Sequence, residues 1–158
     1  HKPLGFSEKG VDTEGGHVNA DLILFMPGLT GPAWAAEAGL PLSPGGFFQA
    51  DEFCRVAGTN KVFVAGDAGS FPGPDWMPKQ AHMADLQAKA AAENLLLALD
   101  GKPVTARFKI ELICIVDTID KGILVYRDLK RSFLLPSSRL FHWAKRYFEG
   151  HYLKVFRK

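Results

Sequence analysis

Apolar residues along this chain fall into three patterns, and each predicts a different kind of element. Two short continuous runs, over 20–26 and over 61–65 (Lys61-Val62-Phe63-Val64-Ala65), read as buried strands. The first is broken by Pro27-Gly28-Leu29-Thr30-Gly31-Pro32 and the second by Gly66-Asp67-Ala68-Gly69. A helical period governs 79–99, where Ala81, Ala84, Ala88, Ala91, Leu95 and Ala98 recur at spacings of three and four and define the expected inner stripe. Asp100-Gly101 and Pro103 end that helix. Alternation over 105–116 and again over 121–126 predicts two strands, joined by a hairpin turn through Asp117 to Asp120 and Gly122.

Shorter features fill the gaps. Residues 1–19 are polar and glycine-rich, and Gly15-Gly16 reads as a turn between two short strands. Residues 34–39 suit one helical turn closed by Gly39, and 47–51 a short strand. From Phe133 to the end, aromatic residues alternate with cations. Leu140, Ala144, Tyr147, Phe148, His151 and Val155 would share one side of a helix there. From Phe141 onward five Lys or Arg stand against one Glu, a net of +4. Rings that sit at headgroup level beside cations suit a helix lying in a membrane interface. Packing of that helix on its own domain or on a dimer mate is the alternative.

Composition narrows the classes. The 158 residues make one domain or a large piece of a bigger one, and 47% hydrophobic content is enough for a core. A formal charge of +2 and the absence of a basic-aromatic array in mid-chain argue against a nucleic-acid partner. Cys54 and Cys114 lie 60 positions apart and form no disulfide framework. No apolar run reaches the roughly 20 residues that a spanning helix needs. No Gly-x-Gly-x-x-Gly follows a predicted strand, so the loop that cradles a dinucleotide pyrophosphate is missing from these residues.

The candidate chemistry sits at the end of the 61–65 run. Gly66 and Gly69 permit tight turns and close approach of a ligand. Asp67 stands just past a strand end, where open α/β sheets bind ligands. The long helix that follows points its N-terminus, with unpaired N–H groups and partial positive charge, toward the same crevice.

Val62-Phe63-Val64-Ala65-Gly66-Asp67-Ala68, followed by Pro78-Lys79 and Ala81-His82-Met83-Ala84-Asp85-Leu86-Gln87-Ala88, resembles the second FAD-contacting segment of flavoproteins with two dinucleotide-binding domains. The nearest likeness is to the sulfide:quinone oxidoreductase branch, with flavocytochrome c sulfide dehydrogenase and type II NADH dehydrogenase as relatives. The resemblance covers the chain from about residue 11 onward. It implies an α/β chain with an incomplete FAD/NAD(P)-binding fold over 1–103, then a C-terminal β-hairpin and amphipathic membrane or dimer region over 104–158. It implies that Asp67 holds the FAD ribityl chain, with Gly66 beside it in the cofactor-binding set, and that the backbone of Gln80, Ala81 and His82 meets the flavin pyrimidine edge. Lys79 adds charge there, guards a quinone entrance, or is an ordinary surface lysine. Cys114 matches the late redox cysteine of the sulfide:quinone branch, whose partner comes from far upstream; a small buried strand residue is the alternative. Cys54 matches no catalytic position and reads as core.

The implied function is electron transfer from sulfide, or a related sulfur donor, through a cysteine pair and FAD to quinone, in a prokaryotic peripheral membrane enzyme. The missing glycine-rich loop makes this chain the expected C-terminal part of such an enzyme, inactive and poor in FAD on its own, and prone to self-association. A type II NADH dehydrogenase-like fragment and a non-catalytic membrane-docking or subunit-contact module are the competing readings.

Overall fold

In a computed structural model, which describes residues 1–156, the chain opens with a three-stranded antiparallel meander: β1 (Pro3–Ser7), β2 (Gly10–Thr13) and β3 (Gly16–Asn19). The Gly15-Gly16 turn joins β2 to β3 as expected, with Gly16 at φ +110. Residues 20–26 form no strand, contrary to the reading of their apolar run. A strand needs a neighbour to take its N–H and C=O groups, and no strand among the described residues pairs with this segment. Leu22, Leu24 and Met26 are more than 70% exposed, and Phe25 rests against Phe6 with ring centroids 4.7 Å apart.

The middle of the chain is built from short pieces. A 3-10 turn over Ala33–Ala38 is closed by Gly39 at φ +65, as its position predicts. β4 (Phe48–Gln49) pairs in parallel with β5 (Gly69–Ser70). Residues 61–65 correct the second strand expectation. They run extended and form backbone bonds toward residues 54–56, through Val56 N–H to Val62 O and Val64 N–H to Cys54 O, both 2.9 Å, while Thr59 Oγ1 also donates to Val62 O. Phe63, Val64 and Ala65 are half-buried and Val62 is exposed. The segment is therefore an edge and not the centre of a sheet. Two small apolar clusters support it, one around Ala35, Phe48 and Val56, the other around Cys54, Ala90 and Ala91 with Phe63, Phe71, Ala106 and Phe108 against it.

The helix α1 (Ala81–Leu99) forms where the period places it and stops at Asp100 and Gly101, whose φ is +70. Its inner face differs from the alanine stripe. Met83, Gln87, Ala90, Ala91 and Asn94 are the buried positions, and of the expected stripe only Ala91 is among them. Two of these five are polar, and both are buried because they satisfy backbone groups. Asn94 donates to Phe53 O (2.9 Å) and Ala106 O (2.7 Å) and accepts from the N–H groups of Thr105 (3.0 Å) and Ala106 (2.9 Å). It thus replaces a missing ladder for two irregular segments, which a hydrophobicity pattern cannot reveal.

Residues 105–110 spend their backbone bonds partly on Asn94, so the first hairpin strand is shorter than its alternation suggests. The strands are β6 (Glu111–Asp117) and β7 (Gly122–Asp128), and a third, β8 (Ser132–Leu134), adds on antiparallel to β7. Thr118 closes the turn, donating from both N–H and Oγ1 to Lys121 O. The helix α2 (Arg139–Phe156) lies across β6 and β7. Gly122 and Ser138 exchange two backbone hydrogen bonds of 2.9 Å, and His142 Nδ1 lies 2.9 Å from an Asp117 oxygen. Any side chain at Gly122 would strike the backbone of Phe141 and His142, so the glycine sets how closely α2 approaches. Phe141, His142 and Lys145 are the half-buried positions of α2, whereas Leu140, Trp143, Ala144, Tyr147, Phe148 and His151 are exposed. Arg157, Lys158 and the side chains of Val155 and Phe156, counted above in the tail, lie outside the described residues.

Candidate functional site

The chain turns at Gly66 because only a residue without a Cβ takes φ +68 cheaply; a Cβ there would also come within 3.2 Å of Ala84 Cβ. The Gly66 N–H donates to Gln87 Oε1 at 2.8 Å, which fastens the turn to the second turn of α1. Asp67 follows in the 3-10 turn Gly66–Ala68 with its carboxylate exposed. Lys79 reaches back across the same turn. Its ammonium donates to Gly69 O at 2.7 Å and Asp67 O at 3.3 Å and stands 4.0 Å from the centre of the Phe47 ring. Burial lowers the Lys79 pKa from its ordinary value, opposed by the nearby Asp67 charge.

Gln80 is the N-cap residue of α1 and gives no side-chain cap. The N–H groups of the first turn have no acceptor within the helix and carry its partial positive charge. The Gln80 side-chain amide nitrogen is buried and has no hydrogen-bond partner. Such a group is costly unless something completes it. Gly66, Asp67, Lys79 and Gln80 together line one hollow of about 110 Å³, with Phe71, Pro78 and Gln87 as further walls.

Four of the expected contact residues are therefore brought together, and Asp67 shares its hollow with the start of α1. Ala81 is exposed at the first helical position. The His82 side chain turns to β6, where Nε2 lies 2.9 Å from Glu111 Oε1. Cys114 lies in β6, paired with Val125, and is half-buried away from the hollow's walls. Strand alternation and register put it on the hairpin face that carries Arg127, the partner of Leu112. The Arg127 guanidinium sits 4.4 Å over the Trp76 ring, in the loop between Asp67 and α1.

Gln87 and Glu111 were not singled out by the sequence. A glutamine five residues past a helical histidine looks like any exposed helix residue. Only its burial, 4% exposed, sets it apart. Cys54 is core, as expected. It is fully buried, its thiol faces Gln87 O at 3.6 Å, and burial, with the Asp51 charge second, pushes its pKa up to about 12. It also takes φ +63, rare for a residue with a side chain, inside a turn that Asp51 organises by accepting from the N–H groups of Phe53 and Arg55. Among the described residues no group of His, Cys, Asp and Glu is arranged to hold a metal ion.

No family model matches the chain, and no curated protein matches it. Among solved structures it is similar to the sulfide:quinone oxidoreductase of the hyperthermophilic bacterium Aquifex aeolicus, with a TM-score of 0.80 and 21% identity over 96% of this chain. The match covers 39% of that protein's chain. The fold of this chain is thus the fold of part of a sulfide:quinone oxidoreductase, a mixed α/β arrangement.

Proposed function

We propose that this chain is the C-terminal portion of a flavoprotein that passes electrons from sulfide, or a related sulfur donor, through a cysteine pair and FAD to quinone. One observation carries the reading: Asp67 shares a hollow with Gln80 at the start of α1, and the Gln80 amide nitrogen is buried without a partner. These groups fit the edge of a flavin. Asp67 accepts hydrogen bonds from ribityl hydroxyls, and the Gln80 amide and the N–H groups of Ala81 and His82 donate to the carbonyl and nitrogen acceptors of the pyrimidine edge. Gly66 lets the backbone come close. When bound, FAD supplies reversible electron transfer between thiol and quinone. The positive end of α1 favours negative charge on the edge it faces. Lys79 keeps the Asp67 turn against α1 through its two carbonyl bonds and adds its charge to that field. Cys114, paired with a cysteine from another part of the polypeptide, takes the electrons from sulfide.

A hollow near 110 Å³ admits one edge of a ring system, whereas whole-ligand sites span roughly 300–1,000 Å³. The pyrophosphate contacts would come from polypeptide carrying the glycine-rich loop. On this reading the isolated chain binds FAD weakly and is inactive, and its exposed apolar residues drive self-association, checked by light scattering. No described helix is long and apolar enough to cross a membrane. The outward stripe of α2 would lie on the bilayer, each cation near an anionic surface contributing about 1 kcal/mol.

The deciding experiment assays the full natural polypeptide that carries this chain, with sulfide or NADH as donor and a soluble quinone as acceptor. Sulfide should reduce the quinone and NADH should not. Cys114→Ser should abolish the sulfide-driven reaction while chemical reduction of the flavin persists. Turnover with NADH, or full sulfide activity in Cys114→Ser, would overturn the reading.

A further inference from the structure

Among the described residues Glu111 is the one buried carboxylate, 7% exposed, and it lies outside the hollow. A buried carboxylate is tolerated only when its oxygens are paired, and both are. His82 Nε2–H donates to Oε1 at 2.9 Å, and the Lys109 ammonium pairs with Oε2. The hydrogen bonds from Lys109 first and His82 second hold the Glu111 pKa below the ordinary carboxylate range.

The placement matters because of what stands at each end. His82 is the second residue of α1, beside the unpartnered Gln80 amide. Cys114 is three residues further along the strand that Glu111 begins, about 10 Å away at the rise of an extended chain. On the hairpin's other face Arg127 of β7, the partner of Leu112, packs over Trp76, the residue before Met77, which lines the hollow. The hairpin thus touches the loop that precedes α1, and the Glu111–His82 bond ties it to α1's first turn.

We infer that Glu111 is a positioning residue that, through His82, holds the strand carrying Cys114 in register with the opening turn of α1. The inference rests on the flavoprotein reading given above, since only there does that register affect chemistry. A stability role alone would be silent in a spectrum that reports thiolate against flavin. The experiment therefore uses the full natural polypeptide with FAD bound and its cysteine pair reduced, and reads the long-wavelength absorbance that a thiolate gives when packed on an oxidised flavin.

Glu111→Ala should remove most of that band and lower kcat by about ten- to a hundredfold, the scale of a small misplacement of reacting groups, with KM for sulfide little changed. Glu111→Gln keeps an acceptor for His82 and should retain most of the band. His82→Ala removes the other end of the bond from a partly exposed position and should reproduce the loss if Glu111→Ala does not fold. A band and kcat unchanged in Glu111→Ala, or in His82→Ala where the first variant is unfolded, would overturn the inference while leaving the function standing. A wild-type polypeptide that binds no flavin or turns over no sulfide would overturn both.

Discussion

The two helices of this chain make an instructive contrast. α1 carries a mixed inner face, including a glutamine and an asparagine, yet it holds more buried residues than any other described element. α2 has the cleaner separation of apolar and charged residues, yet Leu140, Trp143, Tyr147 and Phe148 point outward at 63–80% exposure while Phe141, His142 and Lys145 meet the sheet. Amphipathic pattern says that a helix has a face to cover. It does not say that the rest of the same chain covers it. α1 is held by polar side chains that complete the backbones of irregular loops; α2 is held by a few polar bonds at its start, together with the Tyr152 hydroxyl, which donates to Asp85 at 3.3 Å. The apolar stripe of α2 is left for another surface.

The sharpest way to break this contrast is at Asn94. Asn94→Ala removes four hydrogen bonds and leaves backbone groups of Phe53, Thr105 and Ala106 without their partner, so it should destabilise the chain by about 3–5 kcal/mol in chemical denaturation. The counterpart on α2 is the pair Trp143→Ser and Phe148→Ser. Because both rings are exposed, melting should barely move, while binding to anionic lipid vesicles should fall at least about tenfold, from the lost burial of two rings. Equal losses of stability from the two experiments would erase the distinction.

Smaller effects sharpen it. Gln87→Leu strands the Gly66 N–H and should cost about 1–3 kcal/mol, with faster amide exchange at Gly66 than elsewhere in the turn. Acid should act on the joint between α1 and the hairpin. The folded-state pKa of Glu111 is depressed, so its contribution is present above the ordinary value of 4.5 and is lost as pH falls from there through the lower folded value. Stability measured across that window should fall less steeply in Glu111→Gln than in the natural chain. The smallest effect is chemical: at neutral pH an alkylating reagent should modify Cys114 and spare the fully buried Cys54, whose thiol stays protonated.

Much of the candidate site was legible before any coordinates. Gly66 and Asp67 announce a turn at the end of an apolar run, and Pro78 to Ala81 announce a helix start, so their convergence follows from chain order alone. The hollow itself was not legible, because the burial of the Gln80 amide nitrogen without a partner arises only in the folded chain. Nor was the role of His82, whose backbone alone had been given a part. Its ring finds Glu111 across 29 residues of sequence, and neither residue carries a local mark of the other.

What the sequence decided by itself is what depends on neighbours along the chain. Helical hydrogen bonds close four residues apart and turns need a particular φ, so α1, Gly16, Gly39, Gly101 and the β6–β7 turn stand where the residues put them. Tertiary structure decided what depends on neighbours across space. A strand exists only beside another strand, which is why equally apolar runs gave the exposed coil of 20–26, the sparsely bonded edge of 61–65 and β6, paired with β7 along its whole length. The buried face of α1 was likewise settled by distant loops whose N–H and C=O groups needed Gln87 and Asn94, a demand that no periodicity records.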